Sequence, residues 1–404
     1  MVKKIITYLL IILSLVACNI IDSLHKVTPT SENTRAAIIA PIETAISTIS
    51  PSLPVIMTLT PLTLPSPPLT PTTEPTGGLP SARAPFIHDL PGDLYETLFS
   101  IPAGTRGILK YKIPSCCANI EGPNAIAVLS DNSFLISDLL GRRLLKYDRE
   151  GRLQQTIKLD ELGIGYVRDM RIKGDEIFLL ETAYQNFRVL RLTLDGKLIA
   201  SEKIPFEFPV DAQKPENTLK GGLTGIALDC EERIILEATG GSKLFPLSEV
   251  QKQSDPDLIT QGLLCNDKRF FVCTPGQWKD PKVTAGKTIY QTKLSEGLGG
   301  LQFLDVFEDG SIYLLRDDVM PINPIKVDQT VHYIDEKGGV QGVARVPLSE
   351  FYYPIMRITA VSPNGEVFAL LPRPDSLDII RLNFYQELEP LIPGAAVPQI
   401  AIVQ

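Results

Sequence analysis

The imidazoles able to do acid–base or nucleophilic chemistry are few in this chain, and their placement narrows the options. Only three histidines occur, and two of them, His25 and His88, lie in a Pro/Thr-rich stretch. His332 is then the one imidazole left for a folded domain, with Asp328 and Gln329 just before it. No Gly-x-Ser-x-Gly or His-Glu-x-x-His arrangement is present, so neither a nucleophile elbow nor a zinc hydrolase is signalled. A lone histidine near a strand start reads as a surface or packed residue, and no catalytic residue is nominated.

Sulfur chemistry is the other resource. Beyond Cys18 there are five cysteines, Cys116, Cys117, Cys230, Cys265 and Cys273, an odd number that leaves at least one thiol unpaired or paired elsewhere. Cys265 and Cys273 are spaced to close a short loop, while the adjacent Cys116 and Cys117 would each need a different partner. The absence of a Cys-x-x-Cys pair and of a nearby histidine speaks against a metal at those two. A formal net charge of −8, with no Lys/Arg cluster past the first residues, gives no electrostatic footprint for nucleic acid.

The elements that would carry these residues begin with a basic start, Lys3-Lys4, followed by an apolar run from Ile5 to Ala17. That run is short for a membrane span, which takes about 20 apolar helical residues, and has the length of an export-signal core. The tetrapeptide Leu15-Val16-Ala17-Cys18 that closes it resembles the lipobox of bacterial lipoproteins. The resemblance implies cleavage before Cys18, a diacylglyceryl thioether on Cys18 and residence on a membrane, facing away from the cytoplasm.

Residues 18–92 then form a predicted disordered linker rich in Pro, Thr and Ser, densest from Ser50 to Thr76. Too few apolar side chains are present to offset the backbone entropy of ordering it. A Pro-rich stalk of about 65 residues spans roughly 200 Å at full stretch, at about 3.1 Å per residue. The expected organisation is a signal peptide over 1–17, the linker over 18–92, a folded domain over 93–392 and an apolar tail over 393–404.

Within the folded domain one module recurs. An alternating apolar run, Ala125 to Leu129, turns at Asp131-Asn132 into a continuous apolar run, Ser133 to Ile136, and then into Arg143-Leu144-Leu145-Lys146-Tyr147. The same order runs through Met170 to Leu192, Gly225 to Leu236, Phe303 to Leu315 and Ile358 to Leu382, with turns at Gly174-Asp175, Asp229 to Glu232, Asp309-Gly310 and Asn364-Gly365. Asp, Asn and Gly supply the positive φ of tight hairpins, and a continuous apolar strand suits burial on both faces. Four antiparallel strands repeated at this period predict an all-β fold, a β-propeller.

The segment Gly122-Pro123-Asn124-Ala125-Ile126-Ala127-Val128, with Asp131, Asn132, Arg143 to Tyr147 and Gly151, resembles one blade of the NHL-type six-bladed propeller. About six four-stranded blades are expected, with five as the alternative. The extra blade would come from Arg269 to Cys273 with Thr288 to Thr292; otherwise these strands are an outer part of the third blade. Closure is expected from Gly107 to Ile113 pairing beside Ile379 to Asn383.

Similarity to the gluconolactonase-like group of propellers implies a divalent cation held in the central channel by oxygen ligands from several blades. The candidate donors are Asp138, Glu181, Glu237, Asp317 and Asp318, each of which follows a buried strand. Arg316 beside Asp317 and Asp318 reads equally as an ion-pair network. Trp278, among Pro275, Gly276, Lys279, Asp280 and Pro281, marks a turn-rich loop in which it serves either as a recognition anchor or as packing. The functional expectation is a tethered binding module for a protein, glycan or small ligand without a resident cofactor. A metal-dependent lactonase or esterase is the alternative.

Overall fold

The computed structural model describes residues 84–103, 109–112, 121–183, 186–239, 241, 243–265, 268–273, 289–293, 298–307, 309–320, 326–337, 339–348, 357–389, 391 and 399–403. Cys18, most of the predicted linker, Cys116, Cys117 and the Trp278 loop lie outside these residues. Two strands precede the repeats, β1 (Ile87–His88) and β2 (Tyr95–Pro102). The first blade is β3 (Ala125–Val128), β4 (Phe134–Asp138), β5 (Arg143–Tyr147) and β6 (Leu153–Lys158). The second is β7 (Val167–Lys173), β8 (Glu176–Ala183), β9 (Asn186–Thr193) and β10 (Leu198–Lys203).

The third blade has three strands, β11 (Leu223–Leu228), β12 (Ile234–Ala238) and β13 (Lys243–Pro246). After it come β14 (Leu263–Cys265), β15 (Lys268–Cys273) and β16 (Ile289–Lys293). The fourth blade is β17 (Leu298–Val306), β18 (Ile312–Met320), β19 (Lys326–Ile334) and β20 (Val340–Val346). The fifth is β21 (Thr359–Val361), β22 (Val367–Pro372) and β23 (Ser376–Leu382), followed by β24 (Phe384–Tyr385) and β25 (Gln399–Val403).

The first strands of the blades form a closed circuit: β3 lies beside β7, β7 beside β11, β11 beside β17, β17 beside β21, and β21 beside β3. The ring therefore closes at five blades, the lower of the two expected counts. The strands reserved for a sixth do not enter this circuit. β15 and β16 pair in parallel and form a separate sheet with β14 and β25, which includes the tail strand. A propeller blade needs an antiparallel meander, and a parallel pair cannot supply one.

Each blade's first hairpin turns on one residue with positive φ: Asn132, Gly174, Glu232, Gly310 and Gly365. An acceptor at the mouth of several of these turns reinforces the reversal. The Ser133 amide donates to Asp131 Oδ1 (2.9 Å), the Arg233 amide to Asp229 Oδ1 (2.9 Å) and the Ser311 amide to Asp309 Oδ1 (2.8 Å). The second strands are the buried ones: every residue of β4 and of β22 is buried. Neighbouring blades bury these side chains between them, at about 1.5–3 kcal/mol for each large apolar group.

Closure of the ring is achieved by a strand from the amino-terminal side, but not by the expected one. β2 pairs antiparallel with β23, from Tyr95 opposite Leu382 to Pro102 opposite Ser376. Residue 109, within the segment expected to close the ring, makes only a parallel bridge to Ala103, with Leu109 buried there. The register decides between the two, because β2 buries Ile101 in the core shared with the first blade. Ile87–His88, on the linker side of residue 92, add to β24 in parallel, and β24 extends the fourth blade. His88 packs near Tyr385, with ring centroids 5.3 Å apart.

The disulfide differs from the short loop expected. Cys265 pairs with Cys230, not with Cys273. The Cys230 amide donates to the Leu264 carbonyl (3.2 Å), which brings the β11–β12 turn against β14 and places the two sulfurs within bonding reach.

Candidate functional site

The ring has an arginine at its centre. Arg357 stands just before β21 in the fifth blade, is 0% exposed, and its amide donates to the Asn124 carbonyl of the first blade (3.1 Å). Its Nε and Nη2 donate to Asp169 of the second blade at 2.9 and 2.7 Å. Nη2 also reaches the Ile226 carbonyl and Glu237 Oε2 of the third blade, each at 3.3 Å, and Nη1 donates to the Phe303 carbonyl of the fourth at 3.2 Å. One residue thus contacts all five blades.

Sequence shapes this cluster locally. In the first two blades an acid at or near the end of the second strand faces an arginine directly across the hairpin. Asp138 pairs with Arg143 (2.8 Å), and Glu181 with Arg188. In the third blade Leu244 stands opposite Glu237, so that carboxylate turns to Arg357 and to Arg171, 3.6 Å away. On its other side Glu237 faces Gly225, where a Cβ would stand 2.7 Å from both Asp169 Oδ2 and Glu237 Oε2. Glycine is required there to let the carboxylates meet.

Electrostatics divide the acids of the cluster. Burial alone would raise Asp169, but Arg171 and Arg357 outweigh it and hold that carboxyl down at about 2. For Glu237 burial prevails over the same two arginines, and its proton affinity is raised. Burial likewise pushes Asp305, on β17, up to about 6. Gln302 donates to Glu237 Oε2 (3.3 Å), and Glu237 Oε1 is left without a hydrogen-bond donor. The arrangement fastens blades through charge.

The five proposed oxygen donors are not gathered around one point. Asp138, Glu181 and Glu237 have the arginine partners just described, and Asp318 pairs with Arg316 at 2.7 Å. Asp317 points to the opposite face of its strand, across from Gln329, and burial raises it to about 6. The ion-pair reading of Arg316 holds for Asp318 and not for Asp317. Among the described residues no group of three or more His, Cys, Asp or Glu side chains converges to hold a metal ion.

His332 is packed inside the fourth blade, 5% exposed, with Nε2 2.9 Å from Thr330 Oγ1. Burial, aided by Arg316, lowers it to about 3, so it is neutral at ordinary pH. Asp328 accepts two hydrogen bonds from Arg345, at 2.8 and 3.2 Å. Sequence reasoning missed Arg357, Asp169 and Arg171. The available signal was the run of charge in the first strand of the second blade, which includes Asp169 and Arg171, but nothing near Arg357 marks it.

No protein-family model matches the chain, and no curated protein matches it in sequence. Several solved structures are similar to it. A streptogramin B lyase is 11% identical, with 72% of this chain and 99% of that one covered and a TM-score of 0.32. The PQQ-bound aldose sugar dehydrogenase from Streptomyces coelicolor is 12% identical over 72% of this chain and 98% of its own, with a TM-score of 0.34. A functionally unknown protein from Desulfotomaculum acetoxidans is 13% identical over 70% and 91%, with a TM-score of 0.33.

Proposed function

We propose that this chain is an exported lipoprotein whose propeller serves as a tethered binding disc outside the cytoplasm for a protein, glycan or small ligand. The observation that carries the reading is Arg357, which occupies the centre of the ring and joins all five blades through buried hydrogen bonds, two of the blades by ion pairs. A centre filled in this way favours recognition by the loops and clefts of the rim over chemistry on the axis. Export is supported independently by the lipobox-like Leu15-Val16-Ala17-Cys18 and by the Cys230–Cys265 disulfide, which suits an oxidising compartment. Lipid on Cys18 would make a lasting anchor, at about 0.8 kcal/mol per buried methylene.

Two measurements test the reading on the full chain. Metabolic labelling with radioactive palmitate should mark the wild type and fail with Cys18→Ala, with the variant leaving the membrane fraction. Elemental analysis of purified protein should give no stoichiometric calcium, zinc or manganese. A stoichiometric metal whose removal abolishes lactone or ester hydrolysis would replace the binding disc with an enzyme.

A further inference from the structure

The two carboxylates that meet Arg357 are not served alike. Asp169 accepts four hydrogen bonds: Arg357 Nε (2.9 Å) and the Met170 amide (2.7 Å) reach Oδ1, while Arg357 Nη2 (2.7 Å) and the Ile226 amide (2.8 Å) reach Oδ2. Glu237 accepts two long ones, both on Oε2, from Arg357 Nη2 and Gln302 Nε2 at 3.3 Å each. Its Oε1 accepts none, and the Arg171 guanidinium stands off at 3.6 Å. Both acids are buried, so water does not make up the difference.

An ionised carboxylate taken out of water needs donors on both oxygens, and each one missing leaves desolvation uncompensated. Asp169 meets that requirement and Glu237 does not. The charged groups facing Glu237 are Arg357 from the fifth blade and Arg171 and Asp169 from the second. Asp305 of the fourth blade draws on the same two arginines and on Lys173. In its own blade Gly225 and Leu244 lie opposite Glu237, and neither carries charge. Arg357 already holds Asp169 with two arms, which leaves the second carboxylate across Gly225 poorly matched. We infer that Glu237 carries a proton in the folded ring, and that this proton makes the third blade's fastening to the centre firmer as the surroundings turn acidic.

Burial raises the proton affinity of Glu237 against the pull of both arginines, so folding takes up a proton from solvent once pH exceeds the ordinary value of 4.5. Stability from this group is full below that value and is lost as pH rises through the folded value. An uncharged side chain of the same shape escapes the loss. The test is urea unfolding of the full chain in neutral detergent, at constant ionic strength, from about pH 4.5 to about pH 8. Glu237→Gln should stay near the wild type at the acid end and show the higher midpoint at the alkaline end, the gap widening with pH. Asp169→Asn should lower the midpoint throughout, because it removes an acid that is charged.

Infrared difference spectra between wild type and Glu237→Gln at neutral pH supply a second readout. The carbonyl stretch of a neutral carboxylic acid should be present in the wild type and missing from the variant. Glu237→Met, uncharged and of similar length, repeats both comparisons should the amide disturb the packing. A gap that fails to widen with pH, or a neutral-acid band that both variants leave in place, overturns the inference.

Discussion

Arg357 and Asp169, 188 residues apart in sequence, meet as a two-armed pair with contacts of 2.9 and 2.7 Å in the interior of the ring. Neither side chain is more than 1% exposed, so without the other each keeps only a looser opposite charge, Arg171 at 3.6 Å for Asp169 and Glu237 at 3.3 Å for Arg357. That asymmetry governs the first prediction. Removing one member of a buried pair costs about 3–5 kcal/mol, whereas removing both together costs much less than twice that. Arg357→Met should lower stability by that amount in urea titrations of the full chain, and Arg357→Met with Asp169→Asn should be clearly less than additive.

The Cys230–Cys265 bond spans 35 residues and ties the third blade's hairpin to β14. Closing a loop of that length stabilises by about 3–4 kcal/mol in the chain-entropy account. Replacing both cysteines with serine should shift the urea midpoint down. Reductant should produce a similar shift in the wild type and none in the double variant.

Asp305 gives stability a falling limb with pH. Burial raises its folded value to about 6 from an ordinary value of 3.8, so the folded state holds the extra proton between those limits. Its contribution is fully present below pH 3.8 and is lost as pH rises through 6, on the order of 2 kcal/mol after allowing for its partial exposure. Asp305→Asn should flatten the stability profile between pH 4 and 6, measured by urea midpoints at constant ionic strength.

His332 acts with the opposite sign. Burial depresses its folded value to about 3 from 6.5, so unfolding takes up a proton below pH 6.5. Its contribution is intact above pH 6.5 and is lost as pH falls toward 3. His332→Leu should reduce the acid sensitivity of the thermal midpoint across that window. If the variant and the wild type lose stability in parallel, the imidazole is not the group responsible.

The repeat was legible because its signals are local. Asp131-Asn132, Asp309-Gly310 and Asn364-Gly365 announce hairpins, and the apolar second strands announce burial, all within about ten residues. Even Asp229-Cys230-Glu231-Glu232, which lacks a glycine, turns where expected, because Glu232 adopts the left-handed conformation. What could not be read depends on distant partners. Tyr95–Pro102 and the segment around Ile108 to Ile113 both alternate like strands, and only the register against Leu382 to Ser376 selects the first. The blade count hinged on how β15 meets β16, and spacing does not encode a parallel pairing. The arginine at the ring centre is invisible for the same reason, since its five-blade contacts exist only once the ring has closed.

β2 closes the ring, and it lies on the amino-terminal side of every blade. Tension entering the domain from that side reaches the short β1–β24 contact first and then the β2–β23 ladder, before any complete blade is loaded. The seam that completes the wheel is therefore also its mechanical fuse, and the force that opens that ladder sets the pull the disc can bear while keeping its shape.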